Sequence, residues 1–238
     1  MNESFINGHI MYYHPRNAMV AAMNLLSFAY LQFAGIVRWD KRAVLYKLSE
    51  SIKLGDKPDM QMIAVFAFEH LSDSIKLTIC FENLMKSMLL LNGYLIHKID
   101  EAKIPDLAKE QLKRPILLSE FGPQPFYQNE KLESLNPLLR KQIKGVMNTT
   151  IGMKQLLSKN YKRFININQR VLNICVPYFQ YRNNVHLYMG ELPSFSDKDY
   201  ENIVLVARFI DDSLVRIQNE IVDKLGIDNT KKLRRLSD

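Results

Sequence analysis

Residues 59 to 100 follow a helical pattern and are unusually apolar. A helix with so wide an apolar girth must bury most of it against other elements. This stretch therefore sets the architecture as a long central helix with further helices packed about it. It is long for a single helix, and a kink is expected at Asn92-Gly93. Glu69, Asp73, Lys76, Asn83 and Ser87 fall within about 80° on an ideal wheel and form an expected solvated stripe. Glu82 lies about 140° from that stripe's centre, on the side of Leu71, Thr78, Met85 and Leu89. A carboxylate there needs a partner, because an unpaired buried charge costs several kcal/mol. Two partners are open to it. Lys86 at i+4 would make a surface pair, and a distant cation such as Arg182 would make a buried one.

Asn17 to Val37 runs without a charge between Arg16 and Arg38, long enough to span a bilayer. Asn17, Asn24, Ser27, Gln32 and Gly35 share an arc of about 140°, a small polar stripe opposite an apolar face. Such a stripe suits a buried or dimerising helix in a soluble protein and also a membrane packing face. The soluble alternative is the one expected here.

The rest of the chain adds helices. Residues 1 to 15 are irregular, with His9 and His14 flanking Tyr12-Tyr13 and no carboxylate or Cys cluster beside them to hold a metal. Asp40 to Leu54 continues the first helix or starts a second, and Gly55-Asp56-Lys57-Pro58 breaks it. A short helix is expected near Asp106 to Lys113, then a proline-rich loop, residues 115–128, and a helix over Asn129 to Met147. Met153 to Lys159 reads as helix, and Phe164 to Ile167 as extended chain. A helix over Gln169 to Met189 carries Pro177, which should bend it. Ser196 caps a last amphipathic helix with Ile203, Val206, Ile210, Leu214, Ile217, Ile221 and Leu225 on one face, and Gly226 ends it. The expected fold is all-α, a helical bundle of six or more helices with no convincing sheet. Its expected parts are an N-terminal helical extension (1–58), the bundle (59–226) and a basic tail (227–238).

Charge and cysteine content narrow the function. The formal charge is +7, of which the last ten residues supply +3, so the rest is only mildly basic. That permits a phosphate-bearing partner. Cys80 and Cys175 sit in apolar helical patterns without ligand spacing and read as buried, reduced thiols of a cytosolic protein. There is no glycine-rich phosphate loop, zinc pattern or nucleophile elbow, so no metal or cofactor is expected.

The stretch Tyr181-Arg182-Asn183-Asn184-Val185-His186 carries the candidate chemistry. At i and i+4 near a helix end, Arg182 and His186 share a face. One is a permanent cation and the other titrates near neutrality, a pairing that cleavage of a phosphodiester would use. Cations at a helix C-terminus also offset its dipole, which is the structural alternative.

Three pieces of the chain resemble the HEPN superfamily of all-helical nucleotide-binding bundles. Ile79-Cys80-Phe81-Glu82-Asn83-Leu84-Met85-Lys86 is similar to the long helix with an inward acid and a following lysine. Ile151-Gly152-Met153-Lys154-Gln155-Leu156-Leu157 is similar to the lead-in of short bacterial members, and Tyr181 to His186 to the Arg-polar-x-His motif. The likeness covers Asp59 to Leu225; three residues separate Arg182 from His186, where the nuclease signature has four to six. The resemblance implies a metal-independent endoribonuclease of a bacterial toxin–antitoxin or phage-defence system, leaving 2′,3′-cyclic phosphate ends. It implies RNA as substrate, a homodimer that brings two motifs together, and an antitoxin or other protein partner. His186 would then shuttle the proton, Arg182 hold the phosphate, Asn183 orient the pair and Glu82 support Arg182. The alternative is a non-catalytic helical module that binds RNA or protein, with Arg182, Glu82 and His186 in a structural network.

Overall fold

The computed structural model of the chain describes residues 5–6, 9–10, 15–37, 54, 60–99, 113–117, 146–183 and 197–226. These residues are mostly helical. In chain order they form β1 (Phe5–Ile6), β2 (His9–Ile10), α1 (Pro15–Val37), α2 (Met60–Leu91), β3 (His97–Ile99), β4 (Val146–Thr150), α3 (Met153–Leu156), α4 (Lys159–Lys162), α5 (Gln169–Asn183) and α6 (Asp197–Leu225). The chain divides into two compact units: residues 1–27, 82–166 and 216–233 in the first, and 28–81, 167–215 and 234–238 in the second.

In the first unit the C-terminal half of α2 is buried almost all round. Leu84, Met85, Met88, Leu89, Leu90 and Leu91 are in the core, and so are Lys86 and Ser87. Each such apolar side chain contributes roughly 1.5–3 kcal/mol. Ala18, Ala21, Ala22 and Leu26 of α1 are buried in the same unit, as are Ile217, Ile221 and Val222 of α6. Alanine on the inner face of α1 lets the helices approach closely, and Ser87 Oγ donates to the Ala22 carbonyl at 2.9 Å. Ser87, expected on a solvated stripe, is thus inside because its hydroxyl has a backbone acceptor 65 residues away. Lys224 Nζ donates to the Leu91 carbonyl at 3.3 Å, satisfying one of the carbonyls left over where α2 ends.

That end is a stop and not the expected kink. Gly93 has φ +77°, the left-handed conformation that closes helices, and its N–H donates to the Leu90 carbonyl at 2.9 Å. The chain then turns into β3, which pairs antiparallel with β4 through His97 opposite Thr150 and Ile99 opposite Val146, with an irregularity between them. On the other side Tyr94 bridges Leu117, and the Leu95 N–H donates to the Ile116 carbonyl at 2.8 Å. A second small ribbon pairs β1 with β2, Phe5 opposite Ile10. The described residues therefore carry two two-stranded ribbons that the all-helical expectation did not contain. Val146 and Met147, expected at the end of a helix, belong to β4.

After β4 the Ile151 N–H donates to the Ile96 carbonyl at 2.8 Å. The helix expected over Met153 to Lys159 is two short ones, α3 and α4, broken at Leu157-Ser158. Gln155 Nε2 donates to the Tyr161 hydroxyl at 2.9 Å and ties α3 to α4. Phe164, expected to begin an extended piece, lies in the turn that closes α4, its N–H donating to the Tyr161 carbonyl at 2.9 Å.

In the second unit Phe81 of α2 is fully buried between two aromatic rings. Phe179 of α5 meets it edge-on at 5.6 Å between centroids, and Phe209 of α6 stacks on it at 6.3 Å. Cys80, Cys175, Ile210 and Leu214 complete this core, with Ala29, Phe33 and Ala34 of α1. Gly35 lies against the stem of Lys76, whose Cδ would stand 3.7 Å from a Cβ added there. Pro177 lies inside α5 and is exposed, where its missing N–H is least costly. Gly226, at φ +65°, ends α6 as expected from the sequence.

The first helix, α1, covers the uncharged stretch from Asn17 to Val37, and one helix among the described residues is long and apolar enough to cross a membrane. That helix is α1, through Ala18–Ile36 with a mean hydropathy of 1.5. Its outer face carries Asn24 and Ser27 as expected, but also the exposed apolar residues Val20, Phe28 and Leu31. The expected helix near Asp106 to Lys113, most of the proline-rich loop, most of the helix over Asn129 to Met147 and the basic tail lie outside the described residues.

Candidate functional site

Arg182 and Asn183 are the last described residues of α5. His186 lies outside the described residues, and α5 is described only as far as Asn183, short of the Met189 expected. The phase of α5 is informative at the backbone level. Val171, Cys175 and Phe179 are its buried stripe, and position 182 falls with them within about 80° on an ideal wheel.

Glu82 has the partner that lies one turn along its own helix. Lys86 Nζ is 2.6 Å from Glu82 Oε1, and it also donates to Thr150 Oγ1 of β4 at 2.9 Å. The pair is not the surface pair that i, i+4 spacing suggested. The Lys86 side chain is only 6% exposed, and Glu82 is 18% exposed. An ammonium buried this far is held by its two acceptors; a carboxylate with part of its surface in water needs less help. The buried lysine thus welds α2 to β4 at Thr150, the residue opposite His97 in the ribbon. Cross-strand neighbours share a face, so position 97 lies on the Lys86 side of the ribbon. Sequence spacing found the Glu82–Lys86 contact. It missed Thr150 because nothing local links positions 86 and 150.

The second unit holds two buried acids, Asp73 and Asp211. Asp73, on the expected solvated stripe, is buried, with one carboxylate oxygen 3.6 Å from Lys76 Nζ. Asp211 of α6 is 2% exposed. Thr78, also buried, returns its hydroxyl to the Ser74 carbonyl at 2.8 Å. A polar stripe on one helix does not record what packs against it, so the burial of Asp73 had no local signal.

The cysteines are both buried and free, as their apolar patterns implied. Burial pushes the Cys175 thiol up to about 12 and raises Cys80 further, the neighbouring Cys175 adding to that rise. Both stay neutral thiols at physiological pH, without nucleophilic character. Among the described residues no group of three or more His, Cys, Asp and Glu side chains is placed to hold a metal ion. A comparison of the chain with protein-family models, curated proteins and solved structures finds no match.

Proposed function

We propose that the chain is a HEPN-like, metal-independent endoribonuclease acting in the cytoplasm as part of a bacterial toxin–antitoxin or phage-defence system. What carries this reading is the Arg182-Asn183 pair at the end of α5 in a predominantly helical chain. In the proposed reaction the ribose 2′-OH attacks the adjacent phosphorus and the 5′-oxygen leaves. His186 takes the hydroxyl proton, and its counterpart in a second copy gives one to the leaving oxygen. Arg182 holds the phosphate through its charge increase, and Asn183 donates to it or orients the arginine. The homodimer supplies the paired motifs, and an antitoxin-type protein would silence them. The resemblance assigns Glu82 to support Arg182; among the described residues Glu82 is paired with Lys86.

The test is the chemistry of the ends. An RNA oligonucleotide should be cut to 2′,3′-cyclic phosphate termini, and the all-DNA equivalent should be left intact. Arg182→Lys should cut poorly, because an ammonium lacks the guanidinium's two-pronged hold on phosphate. Products with 5′-phosphate and free 3′-hydroxyl ends would contradict the reading.

A second reading is favoured by the phase of α5. Position 182 shares its stripe with buried Val171, Cys175 and Phe179, which suits a non-catalytic module with the arginine in a structural network. In that case Arg182→Ala would unfold the protein, and no RNA would be cut.

A further inference from the structure

Charge is distributed very unevenly along this chain. Residues 134 to 190 hold nine Lys and Arg and no Asp or Glu; the remaining residues hold 23 basic against 25 acidic side chains. The whole positive excess therefore sits in one quarter of the sequence. Within the first unit this segment forms β4, α3 and α4 and the turn after them. Lys154, Lys159 and Arg163 are exposed and Lys162 is half-buried, and none of the four is ion-paired with a described residue. A run of cations without counter-charges repels itself and is retained at some cost in stability, so an external polyanion is the natural partner.

The same place carries aromatic rings. Phe164 is half-buried and meets half-buried Tyr94 edge-on at 5.1 Å between centroids. The Arg163 guanidinium lies over the Phe164 ring at 4.8 Å. That contact holds a flat cation at the surface, where it can pair with phosphate or lie against a base. The support beneath is firm. Tyr161 is buried and receives the Gln155 amide, so α3 and α4 are locked as one hairpin with their lysines outward. Burial raises the Tyr161 hydroxyl, more than the Gln155 hydrogen bond lowers it, so it stays neutral and adds no negative charge to the patch. Cations tracking a backbone, interleaved with rings on which bases stack, are how single strands are gripped without sequence preference. A lipid surface would call for exposed apolar anchors among the lysines, and α3 and α4 show none: Leu156 and Tyr161 point inward.

We propose that the α3–α4 hairpin, with Arg163, Phe164 and Tyr94, is a docking surface for single-stranded RNA. The choice of RNA over DNA rests on the ribonuclease reading; the choice of a single-stranded nucleic acid rests on the patch alone. The surface grips the strand through phosphates and stacked bases and takes no part in cleavage.

The experiment measures fluorescence anisotropy of a labelled 2′-O-methyl RNA oligonucleotide, which 2′-OH attack cannot cut, with the full chain. Four phosphate contacts predict a slope of log affinity against log salt of about −3, halved to about −1.4 in Lys159→Gln/Arg163→Gln. Lys159→Glu/Arg163→Glu should bind on the order of tenfold more weakly or worse. Arg208→Glu/Arg216→Glu changes the net charge equally on exposed positions of α6 and should bind as the parent does. Equal weakening by both reversed pairs, a flat salt dependence, or no binding to RNA while vesicles of mixed phosphatidylcholine and phosphatidylserine are bound would each overturn the assignment. Binding by a protein that cuts no RNA would leave the surface standing and remove only the ribonuclease reading.

Discussion

Lys86 concentrates the electrostatic risk of the fold in one side chain. Its ammonium is nearly enclosed, and Glu82 is its only described counter-charge. Glu82→Ala would leave the cation with Thr150 alone and should cost about 3 kcal/mol in a urea melt. Glu82→Gln keeps an acceptor and should cost less. Thr150→Val removes a neutral acceptor and should cost about 1 kcal/mol. A Glu82→Ala change below about 0.5 kcal/mol would mean that the ammonium reaches water. The thiols give a second test at this scale. Folded Cys175 ionises only near 12, against an ordinary value of 9.0, and Cys80 higher still. The folded state therefore disfavours thiolate, and the stability this represents is complete below about pH 9 and lost as pH rises toward 12. Alkylation at pH 8 should leave both residues unmodified until denaturant is added; rapid labelling of the native protein would contradict their burial.

Among the elements, α2 was the most legible, because an apolar girth has one physical outcome. Its C-terminal half is buried almost all round, and its start at Met60 follows from the pattern. Its end did not, since Asn92-Gly93 is compatible with a kink or a stop, and the stop is decided by β3 pairing with a strand some fifty residues further on. Short strands such as His97–Ile99 carry too few residues to show a period, so the β3–β4 ribbon had no local signal. The same limit explains Ser87 and Asp73, whose positions depend on other helices. For the candidate site, residue type and spacing pointed to Arg182, Asn183 and His186 and found the Glu82–Lys86 contact. The cations of α3 and α4 passed unnoticed because each is ordinary alone; the absence of any acid from 134 to 190 was the signal available. Glycine offers a clean check on the end of α2. Gly93 has open space around an added Cβ, so Gly93→Ala would cost only its left-handed strain, about 1 kcal/mol. Gly152→Ala meets equally open space at φ −97° and should fall within about 0.5 kcal/mol of the parent. Equal effects would contradict the turn that ends α2.

At the scale of the whole molecule the central proposal is that this predominantly helical chain acts on RNA, and the exposed cations of α3 and α4 are the observation that suits it. The claim is sharpest in its catalytic form. In the proposed reaction His186 and Arg182 carry the chemistry, and general acid–base help from a histidine is worth on the order of 10²–10⁴ in rate. The decisive measurement is the rate at which purified protein degrades total RNA in EDTA, with His186→Ala beside it. The proposal predicts cleavage that persists in EDTA and falls by on the order of 10²–10⁴ in the variant. Cleavage that needs a divalent metal, or that His186→Ala leaves unchanged, would contradict it.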